Sequence, residues 1–433
     1  MGGRQRAAIA DQGQDVLPGR GGPHPGRNVC EGGQHGLRPA GIVRRPVAGR
    51  RQPQGDGRGD QVGQTDRSGE RQLPVRTPGV HDRRGRHPPH EARASSPGRG
   101  SVAAEGLQED LGPSGRLNLV QRILLAAPRG FCAGVAYAIE VVDLALKIHG
   151  APLYVRHAIV HNEWVVRSFE KRGVIFVESI EEIPPGCPVV FSAHGVSPEV
   201  RHVAAERELK IIDATCPLVT KVHNEARHFA RKGYFLIYIG HSGHVEAEGT
   251  MGEAPERMVL VETPEDAERL RLPHYEKLAV LTQTTLSVDE VEKTLSVLKR
   301  RFPHLQTPQK EDICYATTNR QSAIRNLAEQ CDLVLIVGST TSSNSNRLRE
   351  VAESLGVEAH LLMYPDEVQA PWRTQFATVG VSSGASTPEH LVQDVIGSLL
   401  QGRPDVPVEV LETIKEDVNF KPPRDLIQLA MAQ

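Results

Sequence analysis

Residues 123–132, ILLAAPRGFC, place a cysteine directly after a short apolar run, and the same pattern occurs twice more along the chain. LKIIDATC ends at Cys216 and, more weakly, KEDIC ends at Cys314. After each cysteine the sequence predicts a helix, a second apolar strand and a loop of His, Ser, Thr and Asn. A unit repeated at a fixed interval indicates one supersecondary structure used several times. We therefore expect three similar modules.

The spacing of the polar loops supports this interpretation. Loops follow Cys132, Cys216 and Cys314 at intervals of 29, 28 and 28 residues, beginning at His161, His244 and Ser342. A third apolar run in each module ends in another polar loop, containing His194, Thr284 and Ser386. Three copies around one axis would bring three thiols and six polar loops to one centre.

The alternation of elements predicts the fold class. Short β-branched strands alternate with helical stretches from Arg122 to Gln401, which indicates βαβ units and parallel sheets. Hydroxyl side chains mark three helix starts at matching places in the repeats, at Ser197, Ser287 and Thr387. We therefore expect an α/β fold of three small modules in a pseudo-threefold trefoil. The predicted boundaries are an extension at 1–120, modules at 121–215, 216–313 and 314–401, and a C-terminal arm at 402–433.

Residues 1–120 differ in composition from the rest. The first 118 hold 19 Arg, no Lys and 12 Asp plus Glu, which is +7, so with −2 overall the remainder carries −9. A segment so polar and rich in Gly and Pro buries too little apolar surface to offset the entropy lost on ordering. We expect a disordered extension. Three interpretations stay open: polyanion binding through arginine, an organelle transit peptide, and translated upstream sequence that is not native to the working protein.

The composition disfavours several classes of protein. Six cysteines in 433 residues are too few for a disulfide framework. Apolar runs such as FLIYIG and LVLIVG are far shorter than a membrane span, and no secretory signal precedes them. The folded part is acidic and aromatic residues make up 4%, which does not favour a base-stacking surface for nucleic acid. We expect a cytoplasmic protein that acts on a small molecule, with no membrane or nucleic-acid partner.

Three thiols at one centre have three interpretations. Zinc would take a histidine as its fourth ligand, although the closely spaced cysteine pairs of structural zinc sites are absent. An iron–sulfur cluster normally has four cysteine ligands, and with three, one iron is left open to substrate. The third interpretation is that all three are buried core cysteines. Their shared position in three repeats disfavours this last interpretation, while the first two stay open.

The polar loops supply groups suited to an anionic substrate. Hydroxyl, amide and imidazole groups donate to phosphate oxygens, and helix N-termini behind three of the loops add positive dipole ends. A lone histidine at a strand end is nevertheless more often structural. Glu246 follows His244 by two residues. It would deliver protons if a dry pocket raised its pKa, and the alternative is an acidic residue that favours a helix N-terminus.

Nine motifs occur in this order along the chain: PRGFCAGV, YVRHAIVHN, FSAHGVS, DATCPLVTKVH, GHSGHVEAEGTMG, TQTTLS, DICYATTNRQ, GSTTSSNSNRL and SSGAS. Together they resemble the 4-hydroxy-3-methylbut-2-enyl diphosphate reductase family, also called IspH or LytB. The resemblance covers the chain from about Ile123 to Gln401. The resemblance implies a trefoil of three α/β modules around one 4Fe-4S cluster per chain. It implies Cys132, Cys216 and Cys314 as the three ligands of that cluster.

The resemblance also implies the reaction. The allylic hydroxyl of (E)-4-hydroxy-3-methylbut-2-enyl diphosphate would bind the open iron, and two electrons and two protons would remove its oxygen as water. The products would be isopentenyl and dimethylallyl diphosphate, at the last step of the non-mevalonate isoprenoid pathway. By the resemblance Glu246 would be the proton source and Thr284 would relay or orient at the hydroxyl, with Thr285 a lesser candidate. The residues implied to bind substrate, beside Thr284, are His161, His194, His244, Ser342, Ser343, Asn344 and Ser386.

The chain departs from the family pattern at three places, which are Ala136-Tyr137, Val245 and Thr340-Thr341. These departures affect loop shape and the docking surface for a redox partner more than the reaction. The sequence contains no dinucleotide fingerprint, so we expect the electrons to come from a separate ferredoxin or flavodoxin. The alternative function is a zinc-dependent hydrolase of a phosphorylated substrate, which would use the same thiols and histidines.

Overall fold

The computed structural model describes residues 119–273, 275–308 and 311–432. The predicted extension at 1–120 therefore lies outside the described residues, apart from its last two positions. The strands are β1 Arg122–Ala127, β2 Leu153–Arg156, β3 Val174–Val177, β4 Pro188–Phe191, β5 Lys210–Asp213, β6 Phe235–Ile239, β7 Met258–Val261, β8 Leu278–Thr282, β9 Leu333–Val337, β10 Glu358–Leu362, β11 Thr378–Ser383 and β12 Val408–Glu412.

Helices alternate with these strands along most of the chain. They are α1 Ala133–His149, α2 Glu163–Glu170, α3 Pro198–Glu206, α4 Pro217–Arg231, α5 Val245–Met251, α6 Pro264–Arg269, α7 Val288–Arg301, α8 Tyr315–Ala328, α9 Ser343–Ser354, α10 Ala370–Thr374, α11 Glu389–Leu400 and α12 Arg424–Met431. Short 3₁₀ turns occur at Ile180–Glu182 and Pro365–Glu367. Alternation of this kind is the pattern of βαβ units.

The strands form three small parallel sheets. Their orders are β3-β2-β4-β5, β7-β6-β8 and β10-β9-β11-β1-β12, and every strand pair is parallel. The predicted α/β class with three parallel sheets is confirmed. In parallel sheets all the strands end at the same edge, so the loops that follow them lie close together.

The first strand is placed differently from the prediction. The sequence interpretation assigned β1 to the module at 121–215, but β1 pairs with β11, where Ile123 is opposite Val379, and with β12, where Ile123 is opposite Val408. β1 therefore belongs to the five-stranded sheet of the third repeat. The local sequence of an apolar strand does not specify which distant strand it will pair with. The division into modules stays a prediction, with its first strand reassigned.

The predicted C-terminal arm contains regular structure. β12 extends the five-stranded sheet, and α12 packs through Leu426 in the same core cluster as α1. Residues 413–423, between these two elements, form neither helix nor strand. The arm therefore begins on the third sheet and ends against the first helix.

Two fully buried strands show why these sequences form covered sheets. Every residue of β8 and of β9 is buried, which matches their continuous apolar runs. Parallel strands with helices on both faces have this character, whereas a half-exposed strand alternates apolar and polar residues. The helices are amphipathic: in α4 the buried residues Val219, Val222, His223 and Ala226 recur at helical spacing on one face.

The three cysteines each occupy the N-cap of a helix. Cys132 precedes α1, Cys216 precedes α4 and Cys314 precedes α8. The repeat in the sequence is therefore a repeat in the structure. The third preceding strand, weakly predicted from KEDIC, is absent, since the described residues 311–313 form no strand.

The predicted helix starts are partly correct. Ser197 caps α3 and accepts a hydrogen bond from the Val200 amide at 3.4 Å. Ser287 is the N-cap of α7, as predicted, but its hydroxyl makes no capping hydrogen bond. Thr387 is not the cap of α11, because its hydroxyl donates to the Val337 carbonyl at 2.9 Å and Pro388 takes the N-cap position.

Candidate active site

A single cavity of about 100 Å³ lies where the polar loops of all three sheets meet. It has room for several water-sized groups. Every residue proposed from the sequence as a ligand, binding or catalytic group lines it: Cys132, His161, His194, Cys216, His244, Glu246, Thr284, Cys314, Ser342, Ser343, Asn344 and Ser386. Residues that are distant in the sequence are thus brought together by the fold.

The three thiols lie at helix N-termini that face this cavity. The Cys132 sulfur accepts a hydrogen bond from the Val135 amide at 3.4 Å, and the Cys314 sulfur is 3.2 Å from the Thr317 hydroxyl. Helix N-termini carry partial positive charge, which stabilises an anionic group placed on them. The positions of the thiols therefore suit a negatively charged thiolate–metal assembly.

No side chain among the described residues occupies the space between the sulfurs of Cys132 and Cys216 next to Gly134. A Cβ atom at Gly134 would lie 2.6 Å from the Cys216 sulfur and 3.8 Å from the Cys132 sulfur. The glycine on α1 therefore keeps the space between two sulfurs free of a side chain. Any larger residue there would enter the volume that a shared metal centre needs.

Burial raises the pKa values of two of the thiols. Burial is the main cause that raises the pKa of Cys216 to about 12, with smaller contributions from the neighbouring Cys132 and Cys314. Burial also raises the pKa of Cys314 to about 11, again with a contribution from Cys132. Thiolates this close and this dry need a positive centre, and a metal that coordinates sulfur removes its proton. The donor set therefore fits a metal centre coordinated by sulfur, such as the iron–sulfur cluster that the resemblance implies. In the described ranges, no three His, Cys, Asp or Glu side chains are close enough to hold a single metal ion.

Three histidines that line the cavity form a cluster. The ring centroids of His161 and His194 are 4.1 Å apart, those of His161 and His244 are 5.1 Å apart, and those of His194 and His244 are 6.1 Å apart. Burial lowers the pKa of His161 to about 4 and that of His244 to about 3. Burial also lowers the pKa of His194 well below its usual value, with further contributions from the other two rings. All three rings are therefore neutral at physiological pH.

The neutral rings present unused hydrogen-bonding nitrogens. Nδ1 of His244 accepts from the Glu246 amide at 3.2 Å, so the neutral ring carries its proton on Nε2. The Nε2 atoms of His161 and His244 are buried and have no hydrogen-bond partner among the described residues. Buried polar atoms normally have partners. These two atoms are therefore available to a ligand in the cavity.

Two loops that follow strands of the third sheet add hydroxyl and amide side chains to the lining of the cavity. Ser342 is the N-cap of α9, and the side chain of Asn344 accepts from the Ala385 amide at 3.0 Å. The Ser386 hydroxyl donates to the His161 carbonyl at 2.9 Å, which joins loops of the first and third repeats. The helix N-terminus and these polar groups together suit an oxyanion.

The only carboxyl group on the described lining of the cavity belongs to Glu246, which is 1% exposed. One oxygen accepts from the Thr284 amide at 2.7 Å and the other from the Thr284 hydroxyl at 3.0 Å. Burial raises the pKa of Glu246 to about 7, although the two bonds from Thr284 oppose the shift. A carboxyl group with this pKa exchanges protons near neutral pH.

A family model matches the part of the chain that contains these residues. The model described as LytB protein matches residues 123–400. The chain belongs to the LytB family. The family expected from the sequence motifs is therefore confirmed.

Curated relatives of this LytB-family chain carry one activity in their names. The 4-hydroxy-3-methylbut-2-enyl diphosphate reductase 2 of Burkholderia mallei is 53% identical over 305 residues, which are 70% of this chain and 93% of the relative. The 4-hydroxy-3-methylbut-2-enyl diphosphate reductase of Haemophilus influenzae is 51% identical over 308 residues, which are 70% of this chain and 98% of the relative.

A solved structure of a reductase from Plasmodium falciparum has a similar fold. It is the E-1-hydroxy-2-methyl-but-2-enyl-4-diphosphate reductase, and it aligns with a TM-score of 0.70 at 38% identity. The alignment covers 72% of this LytB-family chain and 99% of the solved chain. No helix among the described residues is long and apolar enough to cross a membrane.

Sequence reasoning missed Thr317 as a lining residue of the LytB-family cavity. Thr317 is 1% exposed, contacts the Cys314 sulfur and accepts from the Asn344 side chain at 3.4 Å. The signal that could have found it is its position one helical turn after a predicted ligand, inside the motif CYATTN. Thr285, the lesser candidate, also lines the cavity, and its hydroxyl donates to Ser343 at 3.1 Å.

The departures from the LytB-family pattern are next to this cavity but are not among the described residues that line it. The described lining includes none of Ala136, Tyr137, Val245, Thr340 and Thr341. The Tyr137 hydroxyl donates to the Asp213 carbonyl at 3.4 Å, which ties α1 to the end of β5. Val245 and Thr341 both line a separate cavity that also contacts His161. The departures therefore change surroundings of the site rather than its lining.

Proposed function

We propose that the chain is a 4-hydroxy-3-methylbut-2-enyl diphosphate reductase. It converts (E)-4-hydroxy-3-methylbut-2-enyl diphosphate to isopentenyl and dimethylallyl diphosphate at the last step of the non-mevalonate isoprenoid pathway. The observation that carries the proposal is one cavity that combines three thiols at helix N-cap positions, three neutral histidines and one buried, protonatable carboxyl group. Family membership and the names of relatives at about 50% identity support the same reaction.

The proposed cofactor is one 4Fe-4S cluster held by Cys132, Cys216 and Cys314. When bound, such a cluster supplies electrons and an iron that acts as a Lewis acid toward the substrate oxygen. The protein contributes the helix N-termini beneath the thiols and the space kept by Gly134. A buried position also restricts the access of oxygen and water to the metal centre.

The proposed diphosphate site is formed by the histidine cluster and the polar loops. Neutral imidazoles donate one hydrogen bond each without introducing a positive charge that would have to be desolvated. Nε2 of His244 carries a proton because Nδ1 is occupied by the Glu246 amide. The residues that we propose to bind substrate are His161, His194, His244, Thr284, Ser342, Ser343, Asn344 and Ser386.

Glu246 is the proposed proton donor. Each turnover consumes two protons and releases water, so one group must hold a proton close to the departing oxygen. Burial raises the pKa of Glu246 to about 7, so near neutral pH about half of the molecules carry the proton, and its release costs little free energy. Thr284, which donates two hydrogen bonds to this carboxyl group, orients it and lies beside the reacting hydroxyl.

The electron donor is proposed to be a separate ferredoxin or flavodoxin, because the sequence contains no dinucleotide-binding fingerprint. We propose the cytoplasm as the compartment, because thiols stay reduced there. Turnover of the purified chain with NADPH and no carrier protein would contradict the proposed donor. Addition of reduced flavodoxin should restore turnover if the proposal is correct.

The decisive experiment uses the full chain purified without oxygen. Iron, sulfide and zinc are measured together with the visible spectrum, and the protein is then incubated with the hydroxy diphosphate and a chemical reductant. We expect about four irons and four sulfides per chain, a colour that bleaches in air, and both isoprenyl diphosphates as products. A colourless protein with stoichiometric zinc and phosphate release would instead establish the alternative, a zinc-dependent hydrolase of a phosphorylated substrate.

A further inference from the structure

Arg320 is 0% exposed, although its guanidinium is always charged. It lies on α8, the helix capped by Cys314. One terminal nitrogen donates to Glu416 at 3.0 Å and to the Ala316 carbonyl at 3.0 Å, and the other donates to the Gly130 carbonyl at 2.8 Å. A buried charge is tolerated only when it is paired and hydrogen-bonded. The ion pair of Arg320 with Glu416 therefore stabilises a guanidinium that also holds a distant backbone carbonyl.

That carbonyl belongs to the loop that carries another of the thiols. Gly130 precedes Cys132 by two residues and has a φ of +68°, a conformation that favours glycine. Its amide donates to the Ser383 hydroxyl at 2.9 Å, and the Cys132 amide donates to the Ala385 carbonyl at 3.1 Å. The loop is thus attached to the third sheet on one side and to Arg320 on the other.

Glu416 is itself held in place from both sides. It lies in the irregular segment 413–423, whose first residue, Thr413, donates its amide to the Ala127 carbonyl at 2.9 Å. Beyond the segment, Leu426 is 7% exposed and packs in the core cluster of α1. The Asn319 side chain also donates to Glu416 at 3.1 Å. The C-terminal arm therefore delivers a fixed carboxylate to Arg320.

We propose that Arg320 and Glu416 are positioning residues that hold the Cys132 loop against the helix of Cys314. The inference rests on the proposed function for the use of these thiols. The third thiol is held independently, since the Cys216 amide donates to the Ala193 carbonyl at 3.0 Å. The pair therefore sets the relative position of two of the three ligands, and loosening it exposes the metal centre to loss and oxidation.

The first test measures hydrogen exchange in the metal-free full chain. Glu416→Gln keeps an oxygen that can accept a hydrogen bond but removes the charge that pairs with Arg320. We expect amides of residues 128–136 to exchange about 10-fold faster or more, while those of residues 214–222, around Cys216, are unchanged. Equal acceleration of both segments would indicate general destabilisation and would overturn the proposal.

The matched control is Asp289→Asn. Asp289 accepts from Arg325, another arginine of α8, at 2.7 Å, and both side chains are substantially exposed. This variant removes an ion pair of the same helix, and that ion pair does not include the arginine that holds the Gly130 carbonyl. We expect exchange in residues 128–136 to match that of the unaltered chain. Acceleration as large as in Glu416→Gln would show that Arg320 has no special role.

The second test uses the metal-loaded full chain and follows its visible spectrum in air. We expect Glu416→Gln to bleach about 3-fold faster or more, and Glu416→Asp, which keeps the charge, to restore part of the difference. Faster exchange with unchanged bleaching would overturn the proposal, because the loop would then not govern retention of the centre. If the unaltered chain contains no iron or sulfide, the proposed function fails, and the exchange experiment alone decides the role of the pair.

Discussion

The carboxyl group of Glu246 accepts two hydrogen bonds from Thr284, one from its amide at 2.7 Å and one from its hydroxyl at 3.0 Å. This relationship joins α5 of the second sheet to the loop after β8, and the same Thr284 accepts the Cys314 amide through its carbonyl at 3.0 Å. Thr284 thereby fixes the position of the proposed proton donor relative to Cys314, one of the proposed metal ligands. Two donated hydrogen bonds also limit how far burial can raise the pKa of Glu246.

Glu246→Gln tests the proposed proton donor. Glutamine keeps the size of the side chain and an oxygen for the Thr284 amide, but it cannot release a proton at neutral pH. We expect kcat to fall about 100-fold or more with KM nearly unchanged, in the range typical for loss of a general acid. The control is Glu248→Gln, an exposed position on the same helix. Retention of full turnover in Glu246→Gln would remove Glu246 from the mechanism.

The pH dependence of kcat/KM should follow the same group, because kcat/KM reports the pKa values of the substrate-free enzyme. Since Glu246 has a pKa of about 7 and must be protonated to act, kcat/KM should fall about tenfold per unit above pH 7. Thr284→Val removes the hydroxyl bond that favours the charged form, so the pKa of Glu246 rises and the alkaline limb should move to higher pH. A steady-state pH profile of both proteins measures the shift, and a limb that moves to lower pH would contradict the assignment.

The pKa of Glu246 also predicts a contribution to stability. Burial raises the pKa of Glu246 in the folded state above its value in the unfolded state. The stability that the protonated carboxyl group contributes is therefore fully present below the unfolded-state pKa and is lost as the pH rises from there through about 7. Glutamine does not titrate, so over this pH range the free energy of unfolding should decline less in Glu246→Gln than in the unaltered chain. Denaturant unfolding of the metal-free protein at several pH values measures the difference. Identical pH dependence in both proteins would contradict the raised pKa.

His244→Asn separates the two roles of this histidine. Asparagine can still accept from the Glu246 amide as an N-cap, but it lacks the donor that Nε2 presents to the cavity. We expect KM for the diphosphate to rise about 10- to 100-fold, as for a lost hydrogen bond to a charged group, with little change in melting temperature. An unchanged KM would exclude His244 from substrate binding.

Cys314→Ser and Cys331→Ser distinguish a ligand from a core cysteine. Both thiols are free in the structure, and burial raises the pKa of Cys331 to about 12 and that of Cys314 to about 11. Of these two cysteines, only Cys314 is among the described residues that line the cavity. We expect Cys314→Ser to lose most of its iron and sulfide after anaerobic purification, while Cys331→Ser retains both. Equal metal content in the two variants would show that Cys314 is not needed to hold the cluster.

Gly134→Ala tests the space between the thiols. The added methyl group would lie 2.6 Å from the Cys216 sulfur, so we expect lower iron content and a loss of about 1–3 kcal/mol in stability from overpacking. Gly397→Ala on α11 is the control, because its methyl group would meet nothing within 4 Å. That change should stabilise the protein by about 0.5–1 kcal/mol, as alanine is the better helix former. Full iron occupancy in Gly134→Ala would contradict the assigned role of the gap.

The composition of the candidate site could be predicted from the sequence because its signals are local. Cys132 and Cys216 follow apolar strands and each polar loop follows a strand, so the sequence places these groups at the carboxyl ends of parallel strands. Cys314 follows no strand among the described residues and is placed only by its position in the repeat. All proposed site residues line the cavity in the structure. Their individual roles stay predictions until the variants above are measured.

Other features could not be predicted because they depend on long-range packing. Thr387 was expected to cap a helix, but it turns to the Val337 carbonyl of another strand. Cysteine is not among the favoured N-cap residues, so capping of α1, α4 and α8 by Cys132, Cys216 and Cys314 was not expected from helix rules.

The sequence by itself determined the fold class, the threefold repeat and the identity of the groups that meet at the site, since apolar periodicity and residue type are local properties. Only the tertiary structure decided that β1 joins the third sheet, that Arg320 spans from Glu416 to Gly130, and that Glu246 has a pKa near neutrality. Strand pairing and burial depend on residues far apart in the chain. These contacts form only when the whole fold is assembled, so no local pattern encodes them.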